Sequence, residues 1–568
     1  MANKDIFIGG HIFDADLSKV KFVYDARQFN KEITPIENGE ILISEESYSG
    51  RKYFLRVNNI LYGQNPNWSK EMARSLNYQK KNADISNEHE TPEQTYSLER
   101  DDQLFLEAEC EILGVFNTKE FVSARQLPTY FSSVRKLTES DLSSYLGGFT
   151  GDLKFGNIRS GSQHLNFEGG IFKEILSKHI GVFAKTGGGK SNTIKTLLGV
   201  MMDTEGEVST LILEPHGEYI ADLKRHPLAK DRLLIYNQSG KNNERKIRLS
   251  YTRITIESLL SIKKQMNWSE PQVRLLYEAQ AVLGKNWFKK LCELPVEALD
   301  LDIPSNGDED EENGVDNPED FFDNIPMPDS RDRSKAAQQG FLRQFLPSTN
   351  VETLKALKSK LRRIYNFTFL VDGEIHDDMD TIFSSLENGK SVLIDMAQLS
   401  KLEELFLSSV LAGETLRRRK KQYINNRDDF TNNKVTPIVI VMEEAQRVLG
   451  RNEDSDSNIF PQIVNEGRKF MVGLIAITQQ PKIMDPIILS QFNTLIILGI
   501  SDETDFDILK GCSQNALQQL KLEIKQLMPG EALISSPKFP FAMPLKIFLY
   551  DDYLKEHKGR SKHSLTPD

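Results

Sequence analysis

Residues Ala184 to Ser191 read Ala-Lys-Thr-Gly-Gly-Gly-Lys-Ser, after the apolar run Ile180 to Phe183 and before Asn192 to Met202, which can continue as a helix. Strand, glycine-rich turn and helix in that order are the parts of a phosphate-binding loop. The three glycines let backbone N–H groups close around a polyphosphate, and the helix start adds a partial positive charge. Lys190 is placed to reach the β- and γ-phosphates, and Ser191 to hold Mg²⁺. Lys185, Thr186, Gly187, Gly188, Gly189 and Asn192 complete the candidate cofactor-binding stretch, and ATP with Mg²⁺ is the cofactor pair it implies. Ala184 stands where the usual pattern has its first glycine, a position that mainly needs a small residue. A chance glycine-rich loop would not bring strand, lysine, serine and helix together.

Hydrolysis at such a loop needs one carboxylate for the metal shell and another to polarise the attacking water, both at a neighbouring strand end. The run Ile438 to Met442 followed by Glu443 and Glu444 meets that need. Glu443 takes the metal role, normally given to Asp, and Glu444 the water-activating one. Two acidic residues opening a surface helix are the plain alternative, which the apolar strand before them argues against. Further on, Gly467-Arg468-Lys469 precedes a second apolar run that ends in Thr478-Gln479-Gln480. Gln479 is the candidate for sensing the γ-phosphate or the lytic water, although glutamine at a strand end is often only a turn residue. Arg468 can stabilise transition-state charge, a task that in ring ATPases often falls to the neighbouring subunit.

With 568 residues the chain has room for three or four domain-sized units. No stretch has the apolar length to span a bilayer, and Met-Ala-Asn-Lys-Asp lacks a signal-peptide core, so the expected address is the cytoplasm with no membrane partner. Cys110, Cys292 and Cys512 are scattered, which points to reduced thiols and to neither a disulfide framework nor a zinc site. The net charge of −11 excludes a general basic coat but leaves room for a local basic channel.

Residues 1–147 hold short β-type runs, Val20 to Tyr24, Glu40 to Ser44, Lys52 to Leu61 and Leu104 to Phe116, and predict a small β-barrel. The polar stretch Tyr62 to Arg100 reads as an insertion within it. Beyond Gly147 the apolar runs become continuous: Ile180 to Phe183, Thr210 to Leu213, Ser391 to Ile394, Ile438 to Met442, Leu474 to Thr478 and Thr494 to Leu498. Such runs predict a mainly parallel sheet covered on both faces, hence an α/β fold. Its first part spans 148–252 and its second 389–550. A helical insertion, 253–388, lies between them, interrupted by an acidic, Pro-containing loop at 299–333. The tail 551–568 is short and charged, either disordered or reaching a neighbouring subunit. The basic run Arg417 to Lys421 reads as a solvated helix end at least as well as a DNA contact.

The phosphate loop, Glu214-Pro215-His216-Gly217-Glu218-Tyr219, Met442 to Arg447 and the block Asn465 to Leu498 together resemble the HerA family of DNA-translocating ATPases, relatives of FtsK. The resemblance spans most of 148–550. It implies a RecA-like P-loop core, an N-terminal barrel of the HAS type and a homohexameric ring around double-stranded DNA, with Arg468 as the trans-acting finger. It further implies an effector partner protein, a nuclease or a sirtuin-type NADase, docking on the barrel, in antiphage defence or DNA end processing. Ala184, Glu214 and Gln446 depart from the family's Gly, Asp and His, and bear on rate and coupling rather than on activity itself. Arg447 and Arg451 are secondary phosphate candidates.

Two functions share every ATP-site residue: a translocase or helicase, and a nucleotide-bound hexameric scaffold that regulates an effector without processive movement. A small-molecule kinase is disfavoured, because it needs a separate acceptor site.

Overall fold

The computed structural model describes residues 7–25, 35–46, 48–62, 105–117, 120–240, 244–294, 351–373, 377–432, 434–451, 458–513, 515 and 517–563. The acidic loop at 299–333 and all but the first residue of the insertion Tyr62 to Arg100 lie outside them.

The N-terminal region contains β1 (Phe7–Ala15), β2 (Lys19–Asp25), β3 (Ile41–Glu45), β4 (Lys52–Tyr62), β5 (Phe105–Asn117), β6 (Glu120–Val122) and β7 (Ser133–Lys136). Strand β1 pairs with β7, β7 with β3, β3 with β4, β4 with β5, β5 with β2, and β2 with β1, so six strands close a barrel and β6 adds to β5. Period-two patterning builds it: in β2, Val20, Phe22 and Tyr24 are buried, while Lys21 between them pairs with Glu107 and Glu109. The expected strands all form, joined by β1, β6 and β7.

The core contributes β8 (Leu153–Ser160), β9 (Gln163–Ile171), β10 (Ile180–Ala184), β11 (Ser209–Glu214), β12 (Leu233–Asn237), β13 (Arg245–Lys246), β14 (Leu249–Ser250), β15 (Leu370–Val371), β16 (Ser391–Asp395), β17 (Ile438–Met442), β18 (Val472–Thr478), β19 (Thr494–Leu498), β20 (Glu531–Ser535) and β21 (Met543–Ile547). Twelve of these form one sheet in the order β13-β12-β16-β11-β17-β18-β10-β19-β20-β21-β8-β9. Pairing is parallel from β13 to β19 and antiparallel from β20 onward. Both faces are buried: Ile438, Ile440 and Met442 face one apolar cluster, Val439 and Val441 the other.

The helices that matter here are α1 (Lys190–Met202), α2 (Glu270–Leu283), α3 (Val351–Tyr365), α4 (Lys401–Asn425), α5 (Lys521–Gln526) and α6 (Tyr550–His563). Helices α2 and α3 pack on the first face, and the β14–β15 ladder ties the start and finish of that excursion together. Helix α6 takes in residues 551–563 of the segment expected as a tail. Tyr550, Tyr553 and Leu554 are buried in the same cluster as Ile194 and Leu197 of α1, because their spacing puts one apolar stripe on a helix that is otherwise charged.

Barrel and core meet through buried polar contacts. Arg56 of β4 is fully buried and donates from Nη2 to the Ala542 carbonyl at 2.6 Å, while its Nε lies 3.8 Å from Glu523 of α5. Arg159 of β8 also bonds Glu523, and the Ile41 N–H donates to Ser160 Oγ at 2.9 Å. Among the described residues, no helix is long and apolar enough to cross a membrane.

Candidate functional site

The parallel strands end together, and their C-terminal ends carry the candidate residues. Ala184 closes β10, the loop follows, and α1 starts at Lys190 with Gly189 as an N-cap that offers no side-chain bond. The first N–H groups of that helix therefore face the loop without a helical acceptor. Gly187 and Gly189 have φ of +77° and +92°. A Cβ on Gly188 would stand 2.6 Å from the Leu498 carbonyl, and one on Gly189 2.8 Å from the Gly530 nitrogen. Only glycine lets the loop settle this close to its neighbours.

Charge gathers around that cradle. Lys190 Nζ lies 3.5 Å from Glu443 Oε1. Ser191 Oγ donates to Glu218 Oε2 at 2.6 Å. Glu443 is buried, accepts from the Tyr219 hydroxyl, and leaves Oε2 without a partner. Glu444 adopts the left-handed conformation at φ +52°, which bends the chain off the end of β17, and its carboxylate accepts from the Gln446 amide at 2.6 Å. Such backbone costs about 1–3 kcal/mol in a residue with a Cβ and persists where surrounding structure enforces it. Thr186 Oγ1 donates to Gln479 Oε1 at 3.0 Å, so the end of β18 touches the phosphate loop.

Residues 170–415 match the family described as the central domain of the helicase HerA. The chain is an ATP-hydrolysing enzyme, and it is similar to the HerA helicases. Over 468 residues it is 27% identical to the probable helicase MJECL08 of Methanocaldococcus jannaschii, covering 80% of this chain and 81% of that one. It is 27% identical over 411 residues to the DNA double-strand break repair helicase HerA of Saccharolobus solfataricus, covering 70% of each. Among solved structures, the bacterial conjugative coupling protein TrwBdeltaN70 aligns with a TM-score of 0.43 at 14% identity, covering 73% of this chain and 92% of that one.

Within the core, Lys190 lies beside Glu443 and Thr186 beside Gln479, with Ser191 and Glu444 adjacent to them in sequence, and three other candidates behave differently. Lys185 turns away from the cradle: its N–H bonds the Gly499 carbonyl and its Nζ donates to the Leu527 carbonyl at 2.8 Å. The Asn192 side chain is engaged away from the loop: its amide donates to the Phe548 carbonyl and its Oδ1 accepts the Tyr550 N–H. It fastens α1 to α6. Arg468 is exposed just before the first residue of β18, and Gln479 follows the last. Seven strand residues separate them, about 20 Å or more at 3.3 Å each, so Arg468 does not reach this chain's own loop.

Arg447 pairs with Glu404, and Arg451 Nε lies 3.5 Å from the Met484 carbonyl. The basic run on α4 is largely structural. Arg417 and Arg418 bind Glu414, and Arg419 is buried against the Thr436 carbonyl.

Glu214, Glu218 and Tyr219 are the site residues that had no assigned part. Burial, reinforced by Glu443 and Asp395, pushes the Glu214 carboxyl up to about 8, and the Tyr219 N–H donates to it. Burial and the neighbouring Glu443 hold the Tyr219 hydroxyl well above the usual phenol range, so it is a fixed donor to that carboxylate. The signal was present in the short turn from Glu214 to Tyr219, which returns two carboxylates and a phenol to one strand end.

Proposed function

We propose that the protein is a homohexameric translocase or helicase that hydrolyses ATP with Mg²⁺ and moves double-stranded DNA through the ring. The observation that carries this reading is the division of the hydrolytic set along β18. Lys190, Glu443, Glu444 and Gln479 gather at the C-terminal strand ends, whereas Arg468 sits exposed at the opposite end of the same strand. A cation so placed is available to a neighbouring copy and not to its own loop, which favours a ring in which each site is completed in trans.

In this reading Lys190 and the first N–H groups of α1 hold the β- and γ-phosphates. Ser191 and Glu443 are the residues that would hold Mg²⁺, which screens phosphate charge when bound. Tyr219 keeps Glu443 oriented, and Gln446 keeps Glu444 in place to accept a proton from the attacking water. Gln479, tied to Thr186, registers the γ-phosphate. Arg468 of the adjacent copy stabilises the equatorial charge of the loose transition state. The DNA assignment is supported by the DNA repair helicases among the relatives. An effector partner, a nuclease or a sirtuin-type NADase, docks on the barrel, whose rim exposes Tyr130 and Phe131. Antiphage defence or DNA end processing in the cytoplasm is the setting this assembly suits.

The test is the ATPase rate with and without linear duplex DNA, with Glu444→Gln as control. A translocase is stimulated by DNA alone and silenced in the variant. A rate that ignores DNA and rises only with a partner protein supports the scaffold instead.

A further inference from the structure

The loop that carries Arg468 has little conformational freedom. Residues Gly467–Phe470 form one tight helical turn, and a Cβ on Gly467 would stand 2.4 Å from the Val472 carbonyl. Met471, which follows the turn, is left-handed at φ +55°, and its carbonyl accepts the Ile438 N–H of β17 at 2.9 Å. Backbone so constrained fixes where Arg468 leaves the chain, and the side chains around it decide what the exposed guanidinium meets.

Those side chains come from the far end of α4. Tyr423 packs edge-on against Phe470 of the loop, with ring centroids 5.4 Å apart at 87°, and against Phe430 at 5.5 Å and 77°. Lys469 Nζ lies over the Tyr423 ring, 5.0 Å from its centroid, and 5.7 Å from that of Phe470. Arg427 covers Tyr423 at 5.7 Å, and Lys420 covers Phe470 at 5.6 Å. Three cations are thus held on two aromatic rings, an attraction that fixes a cation without neutralising it. Glu466 stands two residues before Arg468, and Lys420 pairs with it at 2.6 Å, which keeps that carboxylate from drawing the guanidinium back. Helix α4 is a firm base for this arrangement: Glu404 in its first turn pairs with Arg447 at 3.2 Å, and the buried Arg419 donates to the Thr436 carbonyl at 2.7 Å.

We propose that Tyr423 is the positioning residue of the trans-acting arginine: its ring captures Lys469 and Phe470, and so sets the loop from which Arg468 enters the neighbouring copy's site. This rests on the reading of Arg468 as a group supplied in trans. Lys469 and Phe470 directly follow Arg468, so holding both on α4 leaves the guanidinium as the side chain of the turn that extends outward.

The test is steady-state hydrolysis by the full-length protein, with sedimentation to follow assembly. Tyr423→Leu, Tyr423→Phe, Lys469→Gln, Arg468→Ala and the Arg468→Ala/Tyr423→Leu pair are compared with wild type. Tyr423→Leu removes the aromatic ring, and Lys469→Gln removes the cation while leaving the buried rings packed. Each lowers kcat about tenfold to 10²-fold, the loss that a displacement of roughly 1 Å brings to a group in the transition state, with KM for MgATP and sedimentation unchanged. Tyr423→Phe keeps the ring and retains the rate. In the Arg468→Ala background Tyr423→Leu adds no further loss, because both changes act through one guanidinium. Additive losses overturn the proposal, as does a wild-type rate in Tyr423→Leu or Lys469→Gln, or a Tyr423→Phe variant as slow as Tyr423→Leu. A raised KM or a dissociated assembly in both Tyr423→Leu and Lys469→Gln overturns it too, since the cluster would then only hold the fold or the ring together. Arg468→Ala hydrolysing at the wild-type rate refutes the trans reading itself and takes the positioning role with it, whereas a slow Arg468→Ala beside an unaffected Lys469→Gln refutes the positioning role alone.

Discussion

Glu523→Gln tests how the barrel is fastened to the nucleotide loop. Glu523 is buried in α5 between two buried guanidinium groups, Arg56 from the barrel and Arg159 from β8. Burial, with a smaller push from Arg159, holds the Arg56 guanidinium below its ordinary range, and Glu523 is the largest opposing influence. Glutamine keeps the volume and removes the charge, leaving two buried cations with Glu111, whose carboxyl burial pushes up. Breaking a buried pair from one side costs about 3–5 kcal/mol, since the orphaned charge keeps its desolvation penalty. For a chain of 568 residues unfolding as one unit, that lowers the unfolding temperature by about 2–4 °C. The effect should not stop at the junction. Helix α5 runs into Leu527, whose carbonyl accepts from Lys185, and Gly530, which bonds Gly188. Hydrogen exchange should therefore rise in β4, in α5 and in residues 527–530 together, and MgATP should bind more weakly. Glu503→Gln is the control: it removes an exposed partner of the neighbouring Lys521 and should leave both readouts unchanged. Glu523→Gln melting with wild type, or faster exchange confined to the barrel, would refute the coupling.

Lys190→Ala should abolish MgATP binding, whereas Glu444→Gln should retain it and lose about 10²–10⁴-fold in kcat, measured by titration and phosphate release. Arg468→Ala should bind nucleotide normally and hydrolyse it about 10³–10⁵-fold more slowly. Mixing it with Glu444→Gln should restore part of the rate, and the absence of any rescue in co-assembled rings would rule out action in trans. His179 gives a pH signature. It sits at the N-terminal edge of the sheet with φ +60°, accepts the Leu474 N–H at 3.1 Å, and is held down to about 4 mainly by burial, with Arg468 adding repulsion. Between roughly pH 6.5 and 4 the unfolded chain binds the extra proton, so stability is full above that window and falls through it by about 3 kcal/mol. His179→Asn, which removes the titrating ring, should flatten the acid limb of the denaturation midpoint against pH; an unchanged limb would place the titration elsewhere.

What could be read from the chain alone follows from which physical signals are local. The parallel strands were legible because burial on both faces leaves runs such as Ile438 to Met442 without a polar residue, and the loop was legible because Gly187 to Gly189 meet a backbone demand no other residue satisfies. The antiparallel edge was not. Strand β8, Leu-Lys-Phe-Gly-Asn-Ile-Arg-Ser, carries lysine, glycine and arginine, and the reasons are tertiary: Gly156 makes room for the Lys546 carbonyl, and Arg159 turns inward to Glu523. β1 was missed likewise, with two adjacent glycines diluting its pattern.

The site divides along the same line. Lys190, Ser191, Glu443, Glu444 and Gln479 were candidates because each follows a strand or loop with a fixed chemical use. Asn192 was grouped with the loop by adjacency, which says nothing of which way a side chain is engaged, and its side-chain partners lie more than 350 residues later. Tyr219 and Glu218 stood in a recognised segment without a role, since only the folded sheet brings β11 beside β17 and lets the turn after one strand grip the carboxylate after the other. The glutamate that replaces aspartate at 214 fits that logic. It closes the turn by accepting the Tyr219 N–H, and its near-neutral carboxyl adds little charge beside Glu443, so the longer side chain preserves the geometry that Lys190 and Ser191 need.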